Sequence, residues 1–167
     1  METTKTNLSE KDLTHLQRCL ELAKEALDSG DKPFGSILVN KDNKVIAEAR
    51  NRVNELTVLA HPEFELAQWA VNNLTSEERK KTTMYTSGEH CAMCSAAHGW
   101  VGLGTIVYLS AAKQLVSWLE EINAPVSPIK FIPIQDIIVN RIVKGPAEGE
   151  MLSKIKELQL AYYKKQQ

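Results

Sequence analysis

Apolar residues recur at helical spacing from Leu13 through Leu16, Leu20 and Ala23 to Leu27, behind a Ser9 that has Asp12 three positions on. A serine followed at that distance by an acid is a variant of the capping box, and Ser29-Gly30 ends the run, so the pattern predicts an amphipathic first helix. The period then shortens. "FGSILVN" and "VIAEAR" are strand-like runs joined by "KDNK", whose Asp42-Asn43 suits a tight turn, and residues 34–50 read as a β-hairpin. In "HPEFELAQWAVNNL" the positions of Phe64, Leu66, Ala67, Ala70, Val71 and Leu74 are helical again. Pro62 fits only the opening turn, where its missing N–H would have no intrahelical partner, and this sets His61 at the helix start.

"TTMYTS" is a compact β-run, "SGEHCAMCSAAHGW" opens a helix near Cys91, and "TIVYLS" is apolar and β-branched enough for a buried strand. Strand, helix, strand in that order implies a parallel pair with a helical crossover. "AKQLVSWLEEI" reads as a further helix and "IIVNRIV" as a strand; "EGEMLSKIKELQLAYYKK" closes with Leu152, Ile155, Leu158 and Tyr162 on one face. Pro125, Pro128 and Pro133 make the stretch between them irregular. With 167 residues, 43% of them hydrophobic, there is enough chain for a sizeable core, and no repeat or low-complexity linker divides it. A single domain over 1–167 is expected.

Formal net charge is −1, so the positive field of a chain that lives on phosphates is absent and nucleic acid is not expected as a partner. "ERKK" at 78–81 and "YYKK" at 162–165 read as solvated element ends. The opening "METTKTNLSEKDLTHLQ" is polar, and no window approaches the roughly 18 apolar residues of a membrane span, which together predict a soluble, cytoplasmic protein with no membrane partner. Three cysteines are an odd, small number for a disulfide framework; one C-x-x-C pair points to metal or redox chemistry in a reducing compartment.

Cys91 and Cys94, at the start of a helix, would project both sulfurs from its first turn, where the helix end favours negative charge and lowers thiol pKa. A thioredoxin-like couple fits that local picture but leaves "HPE" without a role. If the helix starts at His61 and Cys91 converge, one imidazole and two thiolates supply three zinc ligands and leave a fourth tetrahedral position for water, the mark of a catalytic rather than a structural site. Glu63, two residues past His61, could then move protons between that water and a leaving nitrogen. A closed structural site would need a fourth ligand from His90, His98, His15 or Cys19. His98 shares a helical face with Cys94, yet suits a hydrogen-bonded position behind the site. Met93, Trp69, Trp100 and Trp118 read as core or interface side chains.

H-x-E followed by C-x-x-C, with a hairpin before and strand–helix–strand after, resembles the cytidine deaminase-like zinc hydrolases, whose signature is H-x-E…P-C-x-x-C. The likeness covers most of the chain. "KPFGSILVNKDNKVIAEARNRV" is similar to the first hairpin of the guanine, cytosine and tRNA-adenosine deaminase branch. "TTMYTSGEHCAMCSAAHGWVGLGTIVYLSA" is similar to its second zinc segment, and "IVKGPAEGEMLSKIKELQLAYYKK" to the C-terminal helix of small purine and nucleoside deaminases. The resemblance implies an α/β fold, a three-layer α/β/α sandwich around a mixed sheet of about five strands, assembled as a homodimer. It implies Zn2+ on His61, Cys91 and Cys94, Glu63 as general acid and base, and Asn51 as a ring contact, with Phe34 and the Gly88 backbone as further pocket residues.

The implied reaction is hydrolytic removal of ammonia from a small amino-heterocycle, a nucleobase or nucleoside, with a purine such as guanine ahead of pyrimidines. A tRNA adenosine deaminase and a non-catalytic zinc-stabilised interaction domain are the alternatives. Two positions depart from the family pattern. His90 stands where proline is usual, which would place an additional donor near the pocket. Pro62 replaces a small residue whose N–H meets the ring in related base deaminases; proline has no such donor, which favours a ring without an acceptor there.

Overall fold

The computed structural model describes residues 7–166. Ser9 caps α1 (Glu10–Asp28): its hydroxyl accepts from the Asp12 N–H at 3.2 Å while the Asp12 carboxylate accepts from the Ser9 N–H at 2.9 Å. Two donors that a helix start would leave orphaned are thereby satisfied. The inner face is more polar than the leucine spacing suggested, with Asp12, His15 and Cys19 buried and Leu13 38% exposed.

β1 (Gly35–Val39) and β2 (Val45–Arg50) form the antiparallel hairpin, turned through an Asn43 of φ 62°, a conformation asparagine tolerates better than most side chains. β3 (Thr83–Gly88) lies antiparallel to β1, and β4 (Ile106–Ser110) parallel to β3. β5 (Val143–Lys144) pairs in parallel with β4, giving one mixed sheet in the order β2-β1-β3-β4-β5. The remaining helices are α2 (Pro62–Asn73), α3 (Ser76–Lys80), α4 (Ala92–Val101), α5 (Ala112–Glu121) and α6 (Glu150–Lys164). α4 is the crossover that the parallel β3–β4 pair requires.

Alternation along the strands divides the core between two faces. Ile37, Val39, Tyr85, Val107 and Leu109 pack with Leu16 and Ala23 of α1, Trp118 of α5 and Ile155 of α6. Leu38 and Met84 turn the other way, onto Leu66, Ala67 and Ala70 of α2, with Ala97 and Val101 of α4 against them. The result is the expected three-layer α/β/α sandwich. β1 and β4 are buried at every position because helices cover both sides. Gly35 is needed where α1 crosses β1: a Cβ there would collide with the Leu22 side chain and, at 2.6 Å, the Cys19 carbonyl.

The strand expected over "IIVNRIV" shrinks to its last residue and the lysine beyond it. A 3-10 turn over Ile134–Asp136 precedes it and Asn140 takes φ 56°, so the run cannot stay extended; Val139 and Ile142 are left exposed. Trp118 is buried and Trp69 partly so, but Trp100 is 90% exposed on α4 and lies outside the core. No helix among the described residues is long and apolar enough to cross a membrane.

Candidate metal centre

His61 is the N-cap of α2 and Cys91 the N-cap of α4, and neither side chain caps its own helix. α2 and α4 pack side by side on the same face of the sheet, so the two helix starts meet. His61 Nδ1 lies 3.7 Å from Cys91 Sγ and 3.6 Å from Cys94 Sγ. Zinc bonds of about 2.0–2.1 Å to nitrogen and about 2.3 Å to sulfur, at the tetrahedral angle, put the two donor atoms about 3.6 Å apart. The three side chains therefore fit a zinc ion as they stand. Among the described residues they are the one group of three or more His, Cys, Asp or Glu whose donor atoms lie within 4.8 Å of one another.

The proposed fourth ligands go elsewhere. His98 is fully buried and its Nε2 meets the Gly104 carbonyl at 2.9 Å, the hydrogen-bonded position anticipated for it. His15 bonds Asn43 at 2.8 Å, and Cys19 is packed into the core on the α1 side. His90 is fully buried, edge-on to His98 with ring centroids 5.4 Å apart, and neither of its ring nitrogens has a hydrogen-bond partner among the described residues. Three protein ligands thus leave one corner of a tetrahedral ion open.

The electrostatics suit a cation. Both helices direct N-terminal ends at the centre, where negative charge is favoured. The Cys91 thiol is pushed down to about 4, chiefly by its hydrogen bond with Cys94 and further by His61, against the cost of burial. Cys94 is shifted upward by that same hydrogen bond and by burial. A zinc ion bound here would displace the remaining thiol proton.

Glu63, on the first turn of α2, is 5% exposed, and burial raises its pKa, opposed mainly by the charge of His61. The Thr86 hydroxyl lies 3.0 Å from Glu63 Oε1 and 3.1 Å from the Gly88 carbonyl, and accepts from Ser36 Oγ at 2.8 Å. Gly88 in turn sits under the Phe34 ring, since a Cβ at that position would be 3.0 Å from Phe34 Cε1. The Phe34 carbonyl accepts from the Asn51 N–H at 2.9 Å. Asn51 is 1% exposed, and its Oδ1 accepts from the Val53 N–H at 3.1 Å. These contacts link Glu63, Gly88, Phe34 and Asn51 beside His61, Cys91 and Cys94. Thr86 and Ser36 were missed, although their pairing across β1 and β3 places two hydroxyls on the apolar α2 face. Glu89 was missed as well: its carboxylate accepts from the Ala112 N–H at 3.0 Å and the Ile134 N–H at 3.1 Å, tying the loop before Cys91 to α5 and the 3-10 turn.

Residues 9–110 match the cytidine and deoxycytidylate deaminase zinc-binding region, and the chain belongs to that family of zinc-dependent deaminases, with His61, Cys91 and Cys94 as its zinc-binding triad. It is 36% identical over 135 residues, 80% of each chain, to a probable cytosine deaminase of Schizosaccharomyces pombe. To the guanine deaminase of Bacillus subtilis it is 35% identical over 99 residues, 57% of this chain and 62% of that one. The structure of a guanine deaminase from Nitrosomonas europaea superposes on 96% of this chain and 87% of its own, with a TM-score of 0.66; at 18% identity this shows the shared fold.

Proposed function

We propose that the protein hydrolytically deaminates a nucleobase-sized amino-heterocycle, with Glu63 as its proton carrier. Zinc on His61, Cys91 and Cys94 supplies the Lewis acidity that makes water nucleophilic near neutral pH. Glu63 would take a proton from the attacking water as a C–O bond forms at the amine-bearing ring carbon, and deliver it to the adjacent ring nitrogen. A second proton passes through the same carboxyl to the amine, the C–N bond breaks, and ammonia leaves behind a ring carbonyl. Thr86 holds one oxygen of the carboxylate in place.

Asn51 is the ring's anchor in this reading. Its Oδ1 is occupied by the Val53 N–H, so its Nδ2 is the atom offered to a ring acceptor. Phe34 and the Gly88 backbone form the wall beside it. Guanine is the first candidate and cytosine the second, because Pro62 lacks the N–H with which related base deaminases hold the ring. The reading rests above all on one observation: a buried carboxylate with a hydroxyl donor sits beside a three-ligand metal centre, which a purely structural zinc site has no use for.

Ammonia release from guanine, cytosine, adenine and their nucleosides by zinc-loaded protein tests it. Turnover of at least one ring is expected, falling about 10²–10⁴-fold in Glu63→Gln with zinc retained. A zinc-replete protein that releases no ammonia from any of them overturns the reading. The homodimer implied by the family resemblance is part of the proposal; light scattering of the eluted protein at twice 18.7 kDa is the expected result.

A further inference from the structure

The buried side chains of α6 are Ile155, Gln159 and Tyr162. Ile155 packs into the core shared with α1 and α5. Gln159 and Tyr162, one turn apart on the same face, instead reach the two chain segments that flank the β1–β2 hairpin. Gln159 Nε2 donates to the Pro33 carbonyl at 2.9 Å, and the Tyr162 hydroxyl accepts from Asn54 Nδ2 at 3.1 Å. Gln159 is 1% exposed, and its Oε1 has no hydrogen-bond partner among the described residues. An apolar side chain of that size would fill the space without leaving a buried oxygen unpaired. What a glutamine adds there is an N–H aimed at Pro33.

The segments so held carry the pocket wall. Residues 30–34 lead into β1, residues 51–54 leave β2, and the two are laced together. The Phe34 carbonyl accepts from the Asn51 N–H at 2.9 Å, Asp31 from the Asn54 N–H at 2.7 Å, and the Gly30 carbonyl from Asn54 Nδ2 at 2.9 Å. The carbonyl that Gln159 holds belongs to the same planar peptide as the Phe34 N–H, which donates to the Lys32 carbonyl at 2.8 Å. With both polar ends of that peptide fixed, the swing of Phe34 is restricted and its ring stays over Gly88. The hydrogen bonds of Gln159 and Tyr162 go to this wall and not to His61, Glu63, Cys91 or Cys94.

We propose that Gln159 and Tyr162 are positioning residues through which α6, outside the zinc-binding region of residues 9–110, sets the placement of Phe34 and Asn51 and with it the affinity for the heterocycle. The roles of Phe34 and Asn51 as ring contacts rest on the deaminase reading above; the clamp itself does not. Loss of such a clamp weakens binding of the ground state and the transition state alike, so it raises KM and leaves kcat in place.

Gln159→Met keeps the length of the side chain and removes the N–H. With whichever of guanine and cytosine the zinc-loaded protein turns over, KM should rise about tenfold while kcat stays within about twofold. Tyr162→Phe should move KM the same way by less, because Asn54 Nδ2 keeps the Gly30 carbonyl. In a Phe34→Ala background the effect of Gln159→Met should shrink, since the ring it places is gone. Nuclear magnetic resonance gives a readout that needs no turnover: in Gln159→Met the Gly88 α-proton resonances should move toward their positions in Phe34→Ala. The Asn51 amide should exchange faster, while the amides of β4 keep their wild-type rates. Zinc content and thermal midpoint establish that each variant is folded, with Gln159→Leu as the replacement should Gln159→Met lose either. Gly88 and Asn51 signals that stay at their wild-type values overturn the inference, and so does an unchanged KM in a protein that turns over, or a kcat that falls while KM holds. If the wild-type protein releases no ammonia from any ring, the deaminase reading falls and the Gly88 and Asn51 signals alone decide the clamp.

Discussion

The Glu63 carboxylate accepts from the Thr86 hydroxyl, and Thr86 is itself oriented by Ser36. Replacing Thr86 by valine keeps the shape and takes that donor away from a buried carboxylate. Such a loss is worth about 1–2 kcal/mol. Thr86→Val should therefore lower kcat about 5- to 30-fold while zinc, measured by mass spectrometry, stays at one per chain. A variant that instead sheds its zinc would make the hydroxyl a support of the metal and not of the carboxylate. The tripeptide His61-Pro62-Glu63 and the spacing of Cys91 and Cys94 were legible in the sequence because each motif sits on one turn of one helix. Ser36 and Thr86 were not, because they are neighbours only through strand register, 50 positions apart along the chain.

Glu89 does for whole segments what Thr86 does for one carboxylate. It accepts from the first residue of α5 and from the start of the 3-10 turn, so one side chain beside the zinc loop anchors the helix that leads into the proline-rich stretch and the turn that ends it. Glu89→Ala should release that stretch, and limited proteolysis should cut between residues 122 and 133 well before the wild-type chain is cut anywhere. An unchanged digestion pattern would show that the prolines alone hold it. At this scale the sequence was a good guide wherever local chemistry decides: Ser9 capping α1, Pro62 starting α2, the Asp42-Asn43 turn of the hairpin. It misled where an apolar run is not buried, as at 137–143, where β-branched composition suggests a strand but Asn140 breaks the extension and Val139 and Ile142 face outward. The short helix α3 escaped notice because its five residues bury nothing.

Across the molecule, Asp12 joins elements that are distant in the chain: Ser9 of the cap, Tyr85 of β3 at 2.9 Å and Lys144 of β5 at 3.2 Å. Burial would raise its pKa, but the hydrogen bonds from Ser9, Tyr85 and Lys144 outweigh it and hold the carboxyl below its ordinary value. The stabilisation is thus complete above the unfolded value of about 3.9 and drains away as pH falls through the lower folded one. Urea midpoints taken from pH 5 down to pH 2 should fall more steeply for the wild-type protein than for Asp12→Asn; parallel curves would remove Asp12 from the acid response. The sandwich also dictates an order of assembly. Cys91 and Cys94 are three residues apart and can seize an ion in an open coil, but His61 stands 30 positions upstream of Cys91 and reaches them only when α2 and α4 lie together. Loading should therefore be biphasic in a refolding chain, with a weak two-sulfur capture first and tight retention only after the layers close, so that the moment at which a competing chelator stops stripping the ion clocks the docking of the two helices.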